Sequence, residues 1–149
     1  MSELRERTTA DVDTIIGWVP DAAALYRFAG PRLTWPLTAQ QMHDSAAAEG
    51  ATAWVMEVEQ RLAGHAQLTC SGDAVRLGRV LIDPTQRGKG LGRRLVASAI
   101  EQARQQGAVR VDLSVLADNQ AARRIYATLG FTPAPVQEAS DMIAMARHL

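Results

Sequence analysis

Between Val80 and Val96 the chain runs VLIDPTQRGKGLGRRLV, and the residue types and spacing in that stretch suit it to holding phosphate. A hydrophobic strand leads into a turn, then Gly88, Gly90 and Gly92 alternate through a loop, and an amphipathic helix begins. Glycine permits positive φ and close approach of a ligand to the backbone. The first turn of a helix has amide N–H groups with no intrahelical partner, and these, with the helix dipole, attract anions. Arg87, Lys89, Arg93 and Arg94 add positive charge at the same place. The implied ligand carries a di- or triphosphate.

Spacing separates the kinds of phosphate loop. The Walker A string G-x-x-x-x-G-K-[ST] does not occur. For the dinucleotide fingerprint G-x-G-x-x-G, the third glycine falls on Arg93 when counted from Gly88 and on Leu95 when counted from Gly90. Asp112 follows at about the right distance, but Val111 and Leu113 flank it inside a strand pattern rather than at a strand end. A nicotinamide-dinucleotide-binding enzyme therefore stays open only as the lesser reading. The pattern R/Q-x-x-G-x-G/A is met in full by Arg87-Gly88-Lys89-Gly90-Leu91-Gly92. After the next strand comes Asn119-Gln120-Ala121-Ala122-Arg123-Arg124-Ile125-Tyr126-Ala127-Thr128-Leu129-Gly130-Phe131.

These two segments, in this order with one helix and one strand between them, resemble the GNAT N-acetyltransferase superfamily. The first is similar to its pyrophosphate loop and the second to its N-x-x-A-x-x-x-Y-x-x-x-G-F segment. The resemblance covers roughly residues 52 to 131 at motif level and is nearest to the ribosomal-protein alanine acetyltransferase-like branch. It implies an acetyl-CoA-dependent enzyme that moves an acetyl group to a primary amine by direct transfer in a ternary complex. Cofactor contacts would come from Val80, Ile82, Arg87, Gly88, Lys89, Gly90, Leu91, Gly92, Arg93 and Asn119. The Val80 backbone N–H would donate to the thioester carbonyl, and Tyr126 would protonate the departing thiolate. A phenol with a pKa of about 10 is a neutral donor at pH 7.

No general base is legible. The positions where relatives carry glutamate correspond to Arg76 and Ser114. The candidate substitutes are Glu57, Asp73 and Asp112, each otherwise a solvated strand or turn residue, and equally a chain of waters. A site without a strong base favours an α-amine, pKa about 7.7 to 8.0, over a lysine amine near 10.4. Tyr26, Phe28, Trp35 and Ser114 are the candidate walls of the acceptor pocket, and the resemblance implies a small-molecule or peptide amine as acceptor. The missing carboxylate also keeps open a catalytically silent acetyl-CoA-binding regulatory module.

The elements that must position these residues follow from periodicity. Leu4 to Arg7 suits a short strand; Thr8 or Thr9 caps a helix carrying Val12, Ile15, Ile16 and Val19. Pro20 to Phe28 holds a further helical piece, and Thr38 caps a helix running to about Glu49 with Gly50 as its stop. Trp54–Glu59 and Leu62–Cys70 form a hairpin in which Cys70 reads as a small buried hydrophobe and His65 as a surface or hydrogen-bonded residue. In the strand from Val75 to Ile82 the apolar phase moves from odd to even positions at Gly78-Arg79, which suggests a β-bulge. In the resembled family a bulge here splays two parallel strands and admits pantetheine. The next helix buries Leu91, Leu95, Val96, Ala99, Ile100 and Ala103 and turns Arg94, Ser98 and Glu101 outward. Val109–Val115 is a strand, Ala122, Ile125 and Leu129 form the buried side of a last helix, and strands begin at Phe131 and Asp141. The expected fold is α/β, one GNAT-like domain over residues 1–149. Its sheet is mixed and mostly antiparallel, with a splayed central parallel pair and flanking helices.

Composition is compatible with this. The 149 residues have zero formal net charge, 47% apolar residues and one cysteine. Charge therefore gives no pull toward nucleic acid or membrane, and neither a disulfide nor a cysteine-rich metal site can form within the chain. His43, His65 and His148 lack metal-ligand spacing, so no metal is assigned. With no apolar leader or spanning run, a cytoplasmic location is expected. No interface signal is present, and a homodimer is the default among oligomers.

Overall fold

The computed structural model of the protein describes residues 3–137 and 140–149. Its strands are β1 (Leu4–Glu6), β2 (Ala51–Val58), β3 (Arg61–Ser71), β4 (Ala74–Ile82), β5 (Arg110–Leu116), β6 (Thr132–Pro133) and β7 (Met142–His148). Its α-helices are α1 (Thr9–Ile16), α2 (Ala22–Ala29), α3 (Ala39–Ala46), α4 (Leu91–Gln105) and α5 (Gln120–Thr128). The seven strands form one sheet in the order β1-β2-β3-β4-β5-β7-β6, in which only β4 and β5 run parallel. A parallel pair needs a long crossover, and α4 supplies it.

Two apolar layers cover the sheet. On one side Leu91, Leu95, Val96 and Ile100 of α4 pack with Tyr126 of α5 on Leu68, Val75, Val111 and Leu113. On the other, Val12 and Ile15 of α1, Leu25 and Phe28 of α2 and Met42 of α3 pack on Val55. β3 lies under both layers, so Ala63, Gly64, His65 and Ala66 are all buried and alternation carries no orientation signal there. A Cβ at Gly64 would meet Ile82 Cδ1 at 3.1 Å and Leu95 Cδ2 at 3.3 Å, so even an alanine there would press on both side chains.

Several boundaries depart from expectation. The first helix ends at Ile16 with Gly17 as C-cap, and Val19 is buried from the turn beyond it. The third ends at Ala46, and the chain turns over Ala47–Gly50 into a strand that already begins at Ala51. Cys70 is exposed rather than buried, because the end of β3 runs past its helical cover; its thiol meets Gln106 Oε1 at 3.2 Å. Ser98 is buried rather than outward, since β1 packs across that side of α4, where Glu3 N–H donates to Ser98 Oγ. On α5 only Tyr126 is fully buried, and Ala122, Ile125 and Leu129 are half-buried. No helix among the described residues is long and apolar enough to cross a membrane.

Candidate active site

The switch of apolar phase in β4 corresponds to a real irregularity. Along β3 and β4, His65 faces Leu81 and Gln67 faces Gly78, so Ala66 opposes the two residues Arg79 and Val80. Arg79 takes φ 53°, a left-handed conformation that is costly for a residue with a Cβ. The bulge coincides with a parting of strands. β4 and β5 pair only at Ala74–Arg110, Val75–Val111 and Arg76–Asp112, although β4 continues to Ile82 and β5 to Leu116. Beyond Arg76 the two strands diverge and leave a gap between their C-terminal halves.

Hydrogen-bond alternation determines which groups edge that gap. Asp83 N–H donates to Ala63 O at 2.9 Å, and Leu81 is the next residue of β4 in phase with it. In an antiparallel pair every second residue turns its N–H and C=O to the partner strand, and those between turn away. Ile82 and Val80 therefore turn theirs from β3 toward the side where β5 has left. That edge has free main-chain groups able to pair with an extended ligand.

At the end of β4 the carboxylate of Asp83 accepts from Thr85 N–H and Oγ1–H, both at 2.9 Å, and holds the turn that starts the loop. Gly88 and Gly90 have φ 81° and 75°, and a Cβ at either would meet nothing within 4 Å. These two glycines thus serve the backbone turn and leave open space beside it. Gly92 differs: a Cβ there would meet Ile125 Cδ1 at 3.2 Å, so its smallness seats α5 against α4. Gly90 caps α4 with no side chain, and the first intrahelical bond is Arg94 N–H to Gly90 O. The amides of Leu91, Gly92 and Arg93 precede it and lack intrahelical partners. Arg87, Lys89 and Arg93 are exposed and make no ion pair among the described residues, whereas Arg94 is bound by Glu3. Uncapped amides, open space and unpaired cations fit a pyrophosphate.

Residues 20–131 match the acetyltransferase (GNAT) family model. The chain belongs to the GNAT acetyltransferase family. It is 48% identical over 64 residues to a mycothiol acetyltransferase of Kocuria rhizophila, a stretch covering 41% of this chain and 21% of that one. It is 30% identical over 84 residues to a putative ribosomal protein bS18 alanine N-acetyltransferase of Bacillus subtilis, covering 56% of each. The chain thus spans only about a fifth to about half the length of these relatives. Among solved structures, the PaiA N-acetyltransferase of Thermoplasma acidophilum in complex with coenzyme A superposes with a TM-score of 0.77 at 16% identity. That superposition covers 100% of this chain and 99% of the other. The fold is the GNAT fold.

Other residues singled out from the sequence fall around this GNAT gap in different ways. Tyr126 is buried, with its ring edge-on to Phe131 at 5.7 Å, and its hydroxyl makes no hydrogen bond to a described residue. Burial pushes the phenol up to about 12, so it holds its proton at neutral pH. Asn119 caps α5, its Oδ1 accepting from Ala122 N–H at 3.3 Å. Arg76 donates to Ser114 Oγ at 2.6 Å, across the point where β4 and β5 part. Phe28 belongs to the core, its ring edge-on to His65, and Trp35 stands exposed on a loop. Tyr26 reaches from α2 to Asp141, its hydroxyl 3.0 Å from both carboxylate oxygens.

Asp141 was not legible as a site residue. Its carbonyl accepts from Ala117 N–H just past β5, which puts it at the end of the sheet where the gap opens. Only the fold brings it to Tyr26, 115 positions away. The three carboxylates considered as bases lie elsewhere or are engaged. Glu57 binds Arg5 at 2.6 Å on β2, Asp112 binds Arg110 at 2.9 Å, and Asp73 is in the turn between β3 and β4, opposite the gap's open end. A depression of about 350 Å³ lies beside Arg76, Asp112 and Ala144; one of about 370 Å³ lies between β1, α3 and β2 and contains none of these groups.

Proposed function

We propose that residues 1–149 form one N-acetyltransferase domain that passes acetyl directly from acetyl-CoA to a primary amine while both are bound. The observation that carries this is the parting of β4 from β5 after Arg76, with the free main-chain edge of Val80 and Ile82 leading straight into the glycine loop. Acetyl-CoA supplies an acetyl thioester on a long arm ending in a pyrophosphate. The amides from Arg87 to Arg93, with the Arg87, Lys89 and Arg93 side chains, hold the pyrophosphate. Val80 and Ile82 hold the arm, and Asn119 adds a polar group while capping α5. The Val80 N–H donates to the thioester carbonyl oxygen as negative charge builds on it, and Leu91 anchors the loop through its buried side chain. Tyr126 gives its phenolic proton to the leaving sulfur, a role suited to a hydroxyl that keeps its proton and has no protein partner.

The acceptor side is assigned to Tyr26, Asp141, Ser114 and Arg76. Glu57 and Asp112 are held by arginines and Asp141 accepts from the Tyr26 hydroxyl, so the nitrogen arrives already neutral or loses its proton to water, which favours an α-amine acceptor. Among the relatives is one whose name describes alanine acetylation on a ribosomal protein, which agrees with that class. The test is release of free thiol from acetyl-CoA across a panel of α-amines, lysine-type amines and polyamines. Thiol release with α-amines is expected. Acetyl-CoA binding without release on any amine would leave a binding module, and NADH binding without CoA binding would overturn the cofactor assignment.

A further inference from the structure

His65 is fully buried on β3, between Val55 and Leu81 in register, and no step so far has used it. Its two ring nitrogens are both engaged. Nδ1 lies 2.8 Å from the carbonyl oxygen of Arg79, and Nε2 lies 3.1 Å from the Arg7 guanidinium. A carbonyl only accepts and a guanidinium only donates, so the ring is neutral, with its proton on Nδ1. The bonded carbonyl is that of the bulged, positive-φ residue, and the peptide it belongs to ends in the Val80 N–H. A planar peptide makes the two directions one: fixing the Arg79 C=O toward His65 fixes the Val80 N–H the opposite way.

The surroundings make that a rigid clamp. Arg79 donates to Ala29 O at the end of α2 and to Ser45 Oγ on α3. Arg7 donates to Met42 O on α3. Phe28 closes the ring edge-on at 5.8 Å. Burial and the two guanidinium groups hold the imidazole down at about 4, so it stays neutral at physiological pH.

We propose that His65 is a positioning residue for acetyl transfer: by bonding the Arg79 carbonyl while held by Arg7, it aims the Val80 amide into the gap between β4 and β5. This rests on the acetyltransferase reading and deepens it, because it assigns the orientation of the oxyanion donor to a side chain that never meets the ligand. The left-handed backbone of Arg79 is held in place by a bond that only a side chain with a donor at the Nδ1 position can make.

Four measurements on the whole chain test it. Long-range nitrogen–proton spectra of the histidines should show His65 protonated on Nδ1 and bare on Nε2; the opposite tautomer overturns the proposal. His65→Asn keeps a donor near the Nδ1 position, and His65→Gln keeps an acceptor near Nε2 but leaves the Arg79 carbonyl unbonded. His65→Gln should lower kcat about tenfold to a hundredfold, less than outright loss of an oxyanion donor. Its KM for acetyl-CoA should stay within about threefold, because the pyrophosphate loop is untouched. His65→Asn should recover kcat to within about threefold of wild type. The Val80 amide resonance should move in His65→Gln and stay near its wild-type position in His65→Asn. Equal kcat in all three proteins, or Asn worse than Gln, overturns the role of His65 while leaving the acetyltransferase reading intact. A wild-type chain that releases no thiol on any amine overturns that reading, and this proposal with it.

Discussion

The two polar regions on either side of β4 are built on opposite plans. Around the gap and the glycine loop, groups are left open: the amides of Leu91 to Arg93, the main-chain edge of Val80 and Ile82, the Tyr126 hydroxyl, and the unpaired Arg87, Lys89 and Arg93. Around β1, α1 and β3, by contrast, the half-buried guanidinium groups of Arg5, Arg7 and Arg79 are all engaged. Arg5 spans Asp11 and Glu57, Arg7 spans His65 and Met42 O, and Arg79 spans Ser45 and Ala29 O. Unsatisfied polar groups are a cost in a structural region and a resource in a binding one. Under the proposed function the first region takes the ligand and the second holds the first in shape.

The largest expected effect breaks the open region at its chemistry. Tyr126→Phe keeps the ring against Phe131 and removes the proton, so turnover should fall about 10²- to 10⁴-fold with cofactor affinity little changed. Steady-state kinetics with a chemistry-limited acceptor checks this; unchanged kcat would return Tyr126 to the core.

The next effect falls on the closed region. His65 is held at about 4 in the folded state against about 6.5 in the unfolded chain, so below pH 6.5 the unfolded state binds the extra proton. Stability is fully present above about pH 6.5 and declines as pH falls to about 4, by about 3 kcal/mol. Urea unfolding measured across that range should show the decline, and His65→Asn should flatten it. Asp11, held near 2 chiefly by its bonds to Arg5, acts in a separate lower window. Its contribution is present above about pH 4 and lost as pH falls through 2. A smaller effect is expected at the loop. Gly90→Asp forces a Cβ into φ 75° and places negative charge at the helix N-terminus, and it should weaken acetyl-CoA about tenfold or more by calorimetry.

The smallest effects concern the carboxylates. Glu57→Gln, Asp73→Asn and Asp112→Asn should each cost less than about tenfold in kcat/KM, below a usual general-base contribution. The pH profile should rise with the acceptor's own ionisation, about 7.7 to 8.0 for an α-amine. A fall of three orders of magnitude from any one of them would identify a dedicated base.

What the sequence made legible was local. The glycine loop and the switch of apolar phase at Gly78-Arg79 are short-range patterns, and each corresponds to a feature of the fold. What it hid depends on distant chain. His65 reads from alternation as a surface or hydrogen-bonded residue, but β3 is covered on both faces, by helices that precede it and by helices that follow it in the chain. Cys70, on the same strand, is exposed because that cover stops short of it. The Tyr26–Asp141 contact joins α2 to the start of β7 and has no sequence signature. Positions governed by period and turn chemistry were readable; those governed by which helix lies above which strand were not.

If the parted edge of β4 and the loop after it form one continuous ligand surface, backbone amide spectra during titration with acetyl-CoA will show shifts at Val80 and Ile82 together with Arg87 to Arg93, while Arg5, Asp11 and Glu57 stay still. Shifts in the loop alone, or a response to NADH and none to acetyl-CoA, would contradict that reading.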